Sequence, residues 1–219
     1  MDLKQAMETR HAVREFTDQP LAEEAVKELK QETEQVNLES GLHIQLVTDE
    51  PEAFDAGKPH YGSFSGCWNY FVLAGPSGKD EEIGYYGERL VLKAQQLGIN
   101  SCWVAMTYRK GKAEGDIRTG EKRYMVIALG YGKTQGTAHK QKKLTDISDW
   151  KEGDPDWYLN GLKAALLAPT AINQQKYYLE RHGDHVHAKA GLGFYTKTDL
   201  GIVKYHFEAG SGKDHSVWE

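Results

Sequence analysis

Apolar residues recur at helical intervals early in the chain, then alternate, then form continuous runs, and each change of period marks an element. Asp2 caps a short first helix ending near Arg10. Pro20 opens a second helix in which Leu21, Ala25, Leu29 and Val36 keep helical spacing. Residues 42–47 alternate like a half-buried strand, and residues 68–73 predict another before the turn at Gly75-Pro76-Ser77-Gly78. Ile83, Tyr86, Leu90, Ala94 and Leu97 mark a long helix stopped by Gly98. Residues 101–106 return as a strand, and the wholly apolar run 124–129 predicts a central one. A connection rich in Gly, Lys and Thr spans 130–143. Asp154-Pro155 then gives an N-cap and first-turn signal for a helix through Leu167. From Tyr177 onward the pattern predicts short strands separated by glycines, with residues 202–207 the clearest. The class is α+β, as one domain over 1–219 or as two halves, 1–150 and 151–219.

Composition narrows the function. The 219 residues carry a net charge of -5 and 39% apolar residues, enough to build a core and unsuited to nonspecific attraction to nucleic acid or anionic lipid. The N-terminus has no apolar signal core and no stretch suits a membrane span, so a cytoplasmic location is expected. Cys67 and Cys102 sit in apolar segments outside any CxxC pair and are expected as buried free thiols. No GxGxxG follows a strand, and no GxSxG, Walker loop or HExxH occurs, which removes the commoner dinucleotide-fold, hydrolase, nucleotidase and zinc-protease readings. His182-Gly183-Asp184-His185-Val186-His187 has alternate histidines, but nothing completes a ligand set. A surface hairpin is expected there, with no metal.

Two stretches carry candidate chemistry. Arg10-His11-Ala12-Val13-Arg14 concentrates three cation-capable side chains in an acidic chain, and arginine's planar fork suits phosphate and carbonyl oxygens. The same residues would also complement the C-terminal end of the first helix dipole. In Ala168-Pro169-Thr170-Ala171-Ile172-Asn173-Gln174-Gln175, Pro169 stops a helix, Thr170 can cap a new one, and Asn173 and Gln175 place amides that both donate and accept, as a uracil-like ring edge requires. A helix-to-helix corner that satisfies only its own backbone fits the same residues.

Taken with a third stretch, the helix ending Leu97-Gly98-Ile99-Asn100-Ser101-Cys102-Trp103, these motifs resemble the nitroreductase superfamily, in its short, rearranged branch. The resemblance spans most of the chain. It implies a nitroreductase-like fold, a central mixed or antiparallel sheet flanked by helices. It also implies FMN as cofactor and NAD(P)H as electron donor, with ping-pong transfer to a small electron-poor acceptor such as a nitroaromatic or quinone. Arg10 and His11 would meet the FMN phosphate and ribityl chain. Arg14, the catalytic candidate, would lie near flavin N1 and O2, where a cation stabilises the negative charge that accumulates when hydride arrives. Pro169, Thr170, Ala171, Asn173 and Gln175 match the motif that covers the ring. Lys140 and Lys142 are further phosphate candidates, although a lysine-rich loop that merely faces water fits them equally. Tyr61, Phe64, Tyr85 and Tyr108 are pocket or core aromatics.

The chain departs from the family pattern twice. Position 12 is usually a serine that donates to the phosphate, and here it is Ala12. The second flavin motif lies near the C-terminus instead of a few dozen residues after the first. A faint internal repeat, with Asp80–Tyr85 echoed by Thr198–Ile202, suggests a degenerate pseudo-dimer within one chain holding one FMN; a homodimer is the other arrangement considered. Ala12 also admits a second function, flavin storage or sensing without turnover.

Overall fold

The apolar stretches 70–75 of β2 (Asn69–Pro76) and 125–130 of β4 (Glu121–Gly130) need cover on both faces, and the two strands satisfy their backbones by pairing with each other. The computed structural model describes residues 1–54 and 62–219. In it, β2 and β4 form the centre of a four-stranded antiparallel sheet of order β1-β2-β4-β3, with β1 at Gln45–Val47 and β3 at Asn100–Val104. The run at 124–129 is therefore central, as its composition demands. One face of the sheet gathers Tyr70, Val72, Cys102, Val104, Val126 and Ala128 around Phe16, Phe54 and Phe64. The alternate residues Phe71, Leu73 and Ile127 are equally buried. Parallel pairing among the described residues occurs only at isolated bridges.

This sheet belongs to the first of two compact units, comprising Met1–Asp2, Thr9–Lys79 and Leu90–Ala138; the second comprises Leu3–Glu8, Asp80–Arg89 and His139–Glu219. Helix α1 (Leu3–Thr9) lies almost wholly in the second unit. Helix α2 (Glu23–Ser40), in the first, buries Ala25, Leu29, Thr33 and Val36 on one stripe and ends at Gly41, whose N–H reaches Asn37 O. Asn37 then clasps the backbone of Ile44 from both sides, donating to its carbonyl and accepting from its N–H at 2.8 Å each. That clasp takes Ile44 out of the ladder, which is why the strand expected at 42–47 is reduced to Gln45–Val47. Cys67 and Cys102 are buried free thiols. No helix among the described residues is long and apolar enough to cross a membrane.

The second unit is built on helices α5 (Asp156–Ala165) and α6 (Thr196–Ser211), the start of α3 (Asp80–Gln96), a short α4 (Leu144–Ile147), and a hairpin of β5 (Tyr177–His182) and β6 (His185–Ala190). The histidine cluster forms that hairpin's tip, with Gly183 at φ 64. Asp154, expected to cap α5, instead accepts from Lys151 N–H and pairs with Arg181 at 2.9 Å, while Pro155 occupies the cap position.

Residues 202–207, expected as a strand, lie inside α6. Their β-branched and aromatic side chains mimic a strand because this helix is buried around most of its circumference. Asp199, Leu200, Ile202, Val203, His206 and Phe207 are all inside, which hides the helical period. His206 donates or accepts at both ring nitrogens, to Glu88 at 2.8 Å and to the Ala164 carbonyl at 3.2 Å, with no exposed surface on either His206 or Glu88.

The starts of α3 and α6 touch backbone to backbone. A Cβ added at Gly84 would stand 1.9 Å from Thr198 O, and one added at Gly201 would stand 1.9 Å from Glu81 O. Each glycine thus faces the carbonyl three residues before the other. That reciprocity is the form of a two-fold contact, and it joins the segments whose sequences echo one another. Gly201→Ala is expected to destabilise the protein by about 2–3 kcal/mol despite alanine's better helix propensity. Gly111→Ala, where nothing lies within 4 Å of the new Cβ, is expected to change stability by less than about 0.5 kcal/mol. Chemical denaturation of the two variants checks the contrast.

Candidate functional site

In the first unit the chain leaves α1 after Thr9 as an extended segment held between two neighbours. Ala12 bridges Ser101 in parallel, with Val13 N–H donating to Ser101 O at 3.0 Å. Glu15 bridges Ser65, and Phe16 bridges Gly132. Val13 and Phe16 are buried anchors, so the residues between and beside them turn outward: Ala12, Arg14 and Glu15 are exposed. The loop Gly132–Gly136 packs directly on this segment. A Cβ at Gly136 would meet His11 Cβ at 2.8 Å and Ala12 O at 2.9 Å, so only glycine lets the two backbones lie together there.

The segment's electrostatics are cationic. Arg10 is buried, and His11, half-buried beside it, has its pKa lowered, first by burial and then by the Arg10 guanidinium. Arg14 is exposed and pairs with no carboxylate among the described residues. Burial pushes the Cys102 thiol up, and Arg14 and Arg10 both oppose that shift, so the two cations project positive potential onto the middle of β3. The Ser101 hydroxyl, in the position paired with Ala12, is buried and has no hydrogen-bond partner among the described residues.

In the second unit the stretch after α5 forms a tight corner instead of the new helix expected at Thr170. A single 3-10 turn, Ala171–Asn173, leads directly to β5. The helix cannot continue because Ile172, Asn173 and Gln175 adopt φ of 47°, 56° and 44°. Five non-glycine residues in the described chain have positive φ. Four of them, these three and Tyr195 (φ 58°), lie on this corner or on the loop bonded to it. Each costs of order 1–3 kcal/mol, so the surroundings must hold them.

Hydrogen bonds do so. Thr170 Oγ1 accepts from Gln175 N–H at 3.0 Å. Asn173 Nδ2 and Gln175 Nε2 both donate to the Lys140 carbonyl at 2.8 Å, and Gln175 Nε2 also reaches Asn173 Oδ1 at 2.9 Å. Lys142 donates from its backbone to Gln175 Oε1 and from Nζ to the Gln175 carbonyl. The amides of Asn173 and Gln175, expected to face a ring edge, and the Lys142 ammonium, expected at a phosphate, are therefore engaged in building the corner. Lys140 keeps an exposed side chain, and Pro169, Thr170 and Ala171 are half-buried.

The residue on which the corner turns escaped the sequence reading. Asp199, in the first turn of α6, is buried and accepts from Ala171 N–H at 2.9 Å through one oxygen and from Gln174 Nε2 at 2.7 Å through the other; the same Gln174 nitrogen donates to Phe194 O at 2.9 Å. Its one readable signal was a helix start at Thr196-Lys197-Thr198-Asp199, concealed by reading the following residues as a strand.

Both stretches lie within the span of one family match. The family model described as "Putative TM nitroreductase" matches residues 2–211. The chain belongs to that nitroreductase family. Among solved structures, a putative nitroreductase from Thermotoga maritima superposes with a TM-score of 0.65 at 22% identity, over 94% of this chain and 82% of that one. A putative nitroreductase from Desulfovibrio desulfuricans, solved in complex with FMN, gives 0.54 at 16% identity over 71% and 99%. A putative NADH dehydrogenase/NAD(P)H nitroreductase from Bacteroides thetaiotaomicron gives 0.50 at 15% identity over 65% and 95%. No curated protein matches the sequence.

In this nitroreductase-family chain the aromatics considered for a pocket divide by unit. Phe64 is core, 4.9 Å from Phe54, and Tyr108 packs on the same ring at 6.3 Å. Tyr85, in the second unit, donates to Glu208, which also takes His215 and Trp218. Tyr61 lies outside the described residues.

Burial lifts the Asp199 carboxyl from 3.8 to about 6, against the two hydrogen bonds that favour its charge. Between those values the native chain binds a proton that the unfolded chain has already released. The contribution of Asp199 to stability is thus greatest below the unfolded pKa, falls as pH rises, and is constant above the folded pKa. The melting temperature of Asp199→Asn is expected to rise relative to the native protein between about pH 5 and about pH 7; a constant difference across that range would contradict the assignment.

Proposed function

We propose that this chain binds FMN and passes reducing equivalents from NAD(P)H to a small electron-poor acceptor, nitroaromatic or quinone-like, in a ping-pong cycle. The observation that carries the reading is the Arg10–Arg14 segment. It is fixed in extended form by Val13 and Phe16, bears two guanidiniums and a histidine, and presents Arg14 to solvent with no carboxylate partner among the described residues. The donor set fits a flavin mononucleotide: planar forks for a phosphate, and a permanent cation for a ring edge that becomes negative. The FMN of the Desulfovibrio desulfuricans structure supports the choice of cofactor.

When bound, FMN would accept hydride at N5 and deliver electrons to the acceptor. The protein's own part is position and charge. Arg10 and His11 would hold the phosphate and ribityl chain, with Lys140 as an additional phosphate cation. Arg14 would stabilise the negative charge on the pyrimidine edge. Pro169, Thr170 and Ala171 would face the flavin, with Asn173, Gln175 and Lys142 holding their backbone in shape. Each set is assigned to its own unit and tested by its own variants. The earlier arrangement of one chain as a degenerate pseudo-dimer, with one flavin per chain, is part of this proposal; the reciprocal Gly84 and Gly201 contact supports it.

Ala12 favours a second reading, storage or sensing of flavin. The position is exposed and lacks the hydroxyl that family members place there, a loss of about 1 kcal/mol, or roughly five-fold in Kd. Protein reconstituted with FMN and desalted separates the readings. Retained flavin absorbance that bleaches under anaerobic NADH or NADPH is expected for the oxidoreductase. Retained absorbance that no nicotinamide bleaches would leave the storage reading, and loss of the flavin on desalting would sink both. In the same assay Ala12→Ser is expected to tighten FMN by about five-fold, while Arg14→Ala weakens it and makes the bound flavin harder to reduce.

A further inference from the structure

We propose that Asp199 is the positioning residue of the flavin corner, its carboxylate holding the strained 171–175 turn and the 194–195 loop in the shape that FMN requires. This rests on the flavin reading of that corner. Asp199 is 3% exposed, and each of its oxygens is bonded to a different part of the turn: Ala171 N–H at 2.9 Å, and Gln174 Nε2 at 2.7 Å. Gln174 passes the restraint on to the Phe194 carbonyl, and Asp199 N–H donates to Tyr195 O. The turn and loop so restrained include Ile172, Asn173, Gln175 and Tyr195, all held at positive φ, and they turn apolar side chains outward: Ile172 is 82% exposed, Tyr195 37%, and Phe194 beside it 52%. A β-branched residue in the left-handed region, with its side chain in water, gains nothing from the fold by itself. A buried carboxylate, itself desolvated, maintains that arrangement, and a planar ring laid against Ile172 and the turn would cover the exposed apolar surface.

The ionised carboxylate accepts twice. Protonated, it retains one acceptor for Ala171 and turns a hydroxyl toward the Gln174 amide, which must invert to accept it and so loses the Phe194 carbonyl. Protonation therefore loosens the corner while it favours the native state overall, and the two effects have opposite sign with pH. The position of the Asp199 pKa is set by burial, the Ala171 N–H and the Gln174 amide, with no charged side chain contributing. Two other groups bear on FMN binding as pH changes: His11, its pKa lowered by burial and by Arg10, whose protonation would strengthen phosphate binding as pH falls, and the FMN phosphate, with a second pKa of about 6. Both are unchanged by substitution at Asp199, so the ratio of affinities between native and variant protein isolates this carboxylate.

The experiment is FMN titration of apo-protein by flavin fluorescence quenching, from about pH 8 to about pH 5, on native protein, Asp199→Asn and Asp199→Ala, with thermal melts confirming that each is folded. At the upper pH both variants are expected to bind FMN roughly ten-fold more weakly or worse. The advantage of native protein over Asp199→Asn is expected to shrink as pH falls. If Asp199→Ala does not fold, the pH dependence of the native-to-Asn ratio decides alone. A ratio that stays constant with pH, or variant affinities within about two-fold of native, would overturn the role of Asp199 and leave the flavin reading intact. Failure of native protein to bind FMN at any pH would overturn the flavin reading, and this inference with it.

Discussion

Two helices can cross with their backbones in contact only where neither carries a Cβ, and the second unit meets that condition once on each helix, at Gly84 and Gly201. The contact fixes more than a distance. With Gly201 turned toward α3, the 100° step per residue of an α-helix places Asp199 on nearly the opposite face. There it meets Ala171 and Gln174. Phe207, six residues beyond Gly201, packs into the space left by a third missing side chain at Gly161. The rotation of α6 about its own axis is thereby set by glycines, and the chemistry at its first turn inherits that setting.

The two candidate stretches obtain rigidity by different physical means. In the first unit, the Arg10–Arg14 segment is held by backbone bridges and by two large anchors, Val13 and Phe16, and its side chains are left free of structural duty where they face outward. In the second, nearly every polar side chain of the corner is consumed in holding a backbone that would otherwise relax. This explains why Gln175 is buried while Ile172 is exposed, an inversion of what their polarities suggest. The apolar surface so presented is the corner's product.

Much of this was legible in the sequence. The alternation and continuous runs of the sheet strands, the helix stopped at Gly98 and the basic stretch all rest on local signals, and local signals survive into the structure. Two failures share a cause. Residues 202–207 were misread because burial on nearly every side erases amphipathic periodicity. The 170–175 corner was misread because Thr170 offers a genuine cap signal that a distant carboxylate overrides. Nothing near Ile172 in the chain announces a left-handed conformation; the reason lies in Asp199, on another element. The engagement of Asn173 and Gln175 was invisible for the same reason, since their partner is a backbone carbonyl at Lys140.

The interleaving of the two units along the chain bears on how the protein is made. Asp80–Arg89 is built into a unit whose other main pieces begin at His139, and Gly84 meets its counterpart only after more than half of the chain has followed it. During synthesis, the glycine face of α3 must emerge and wait, its carbonyls hydrated, until α6 has left the ribosome, so closure of the second unit is a late and nonlocal event. A nascent or truncated chain lacking α6 therefore exposes the backbone of α3 at Gly84, which has no side chain to shield it.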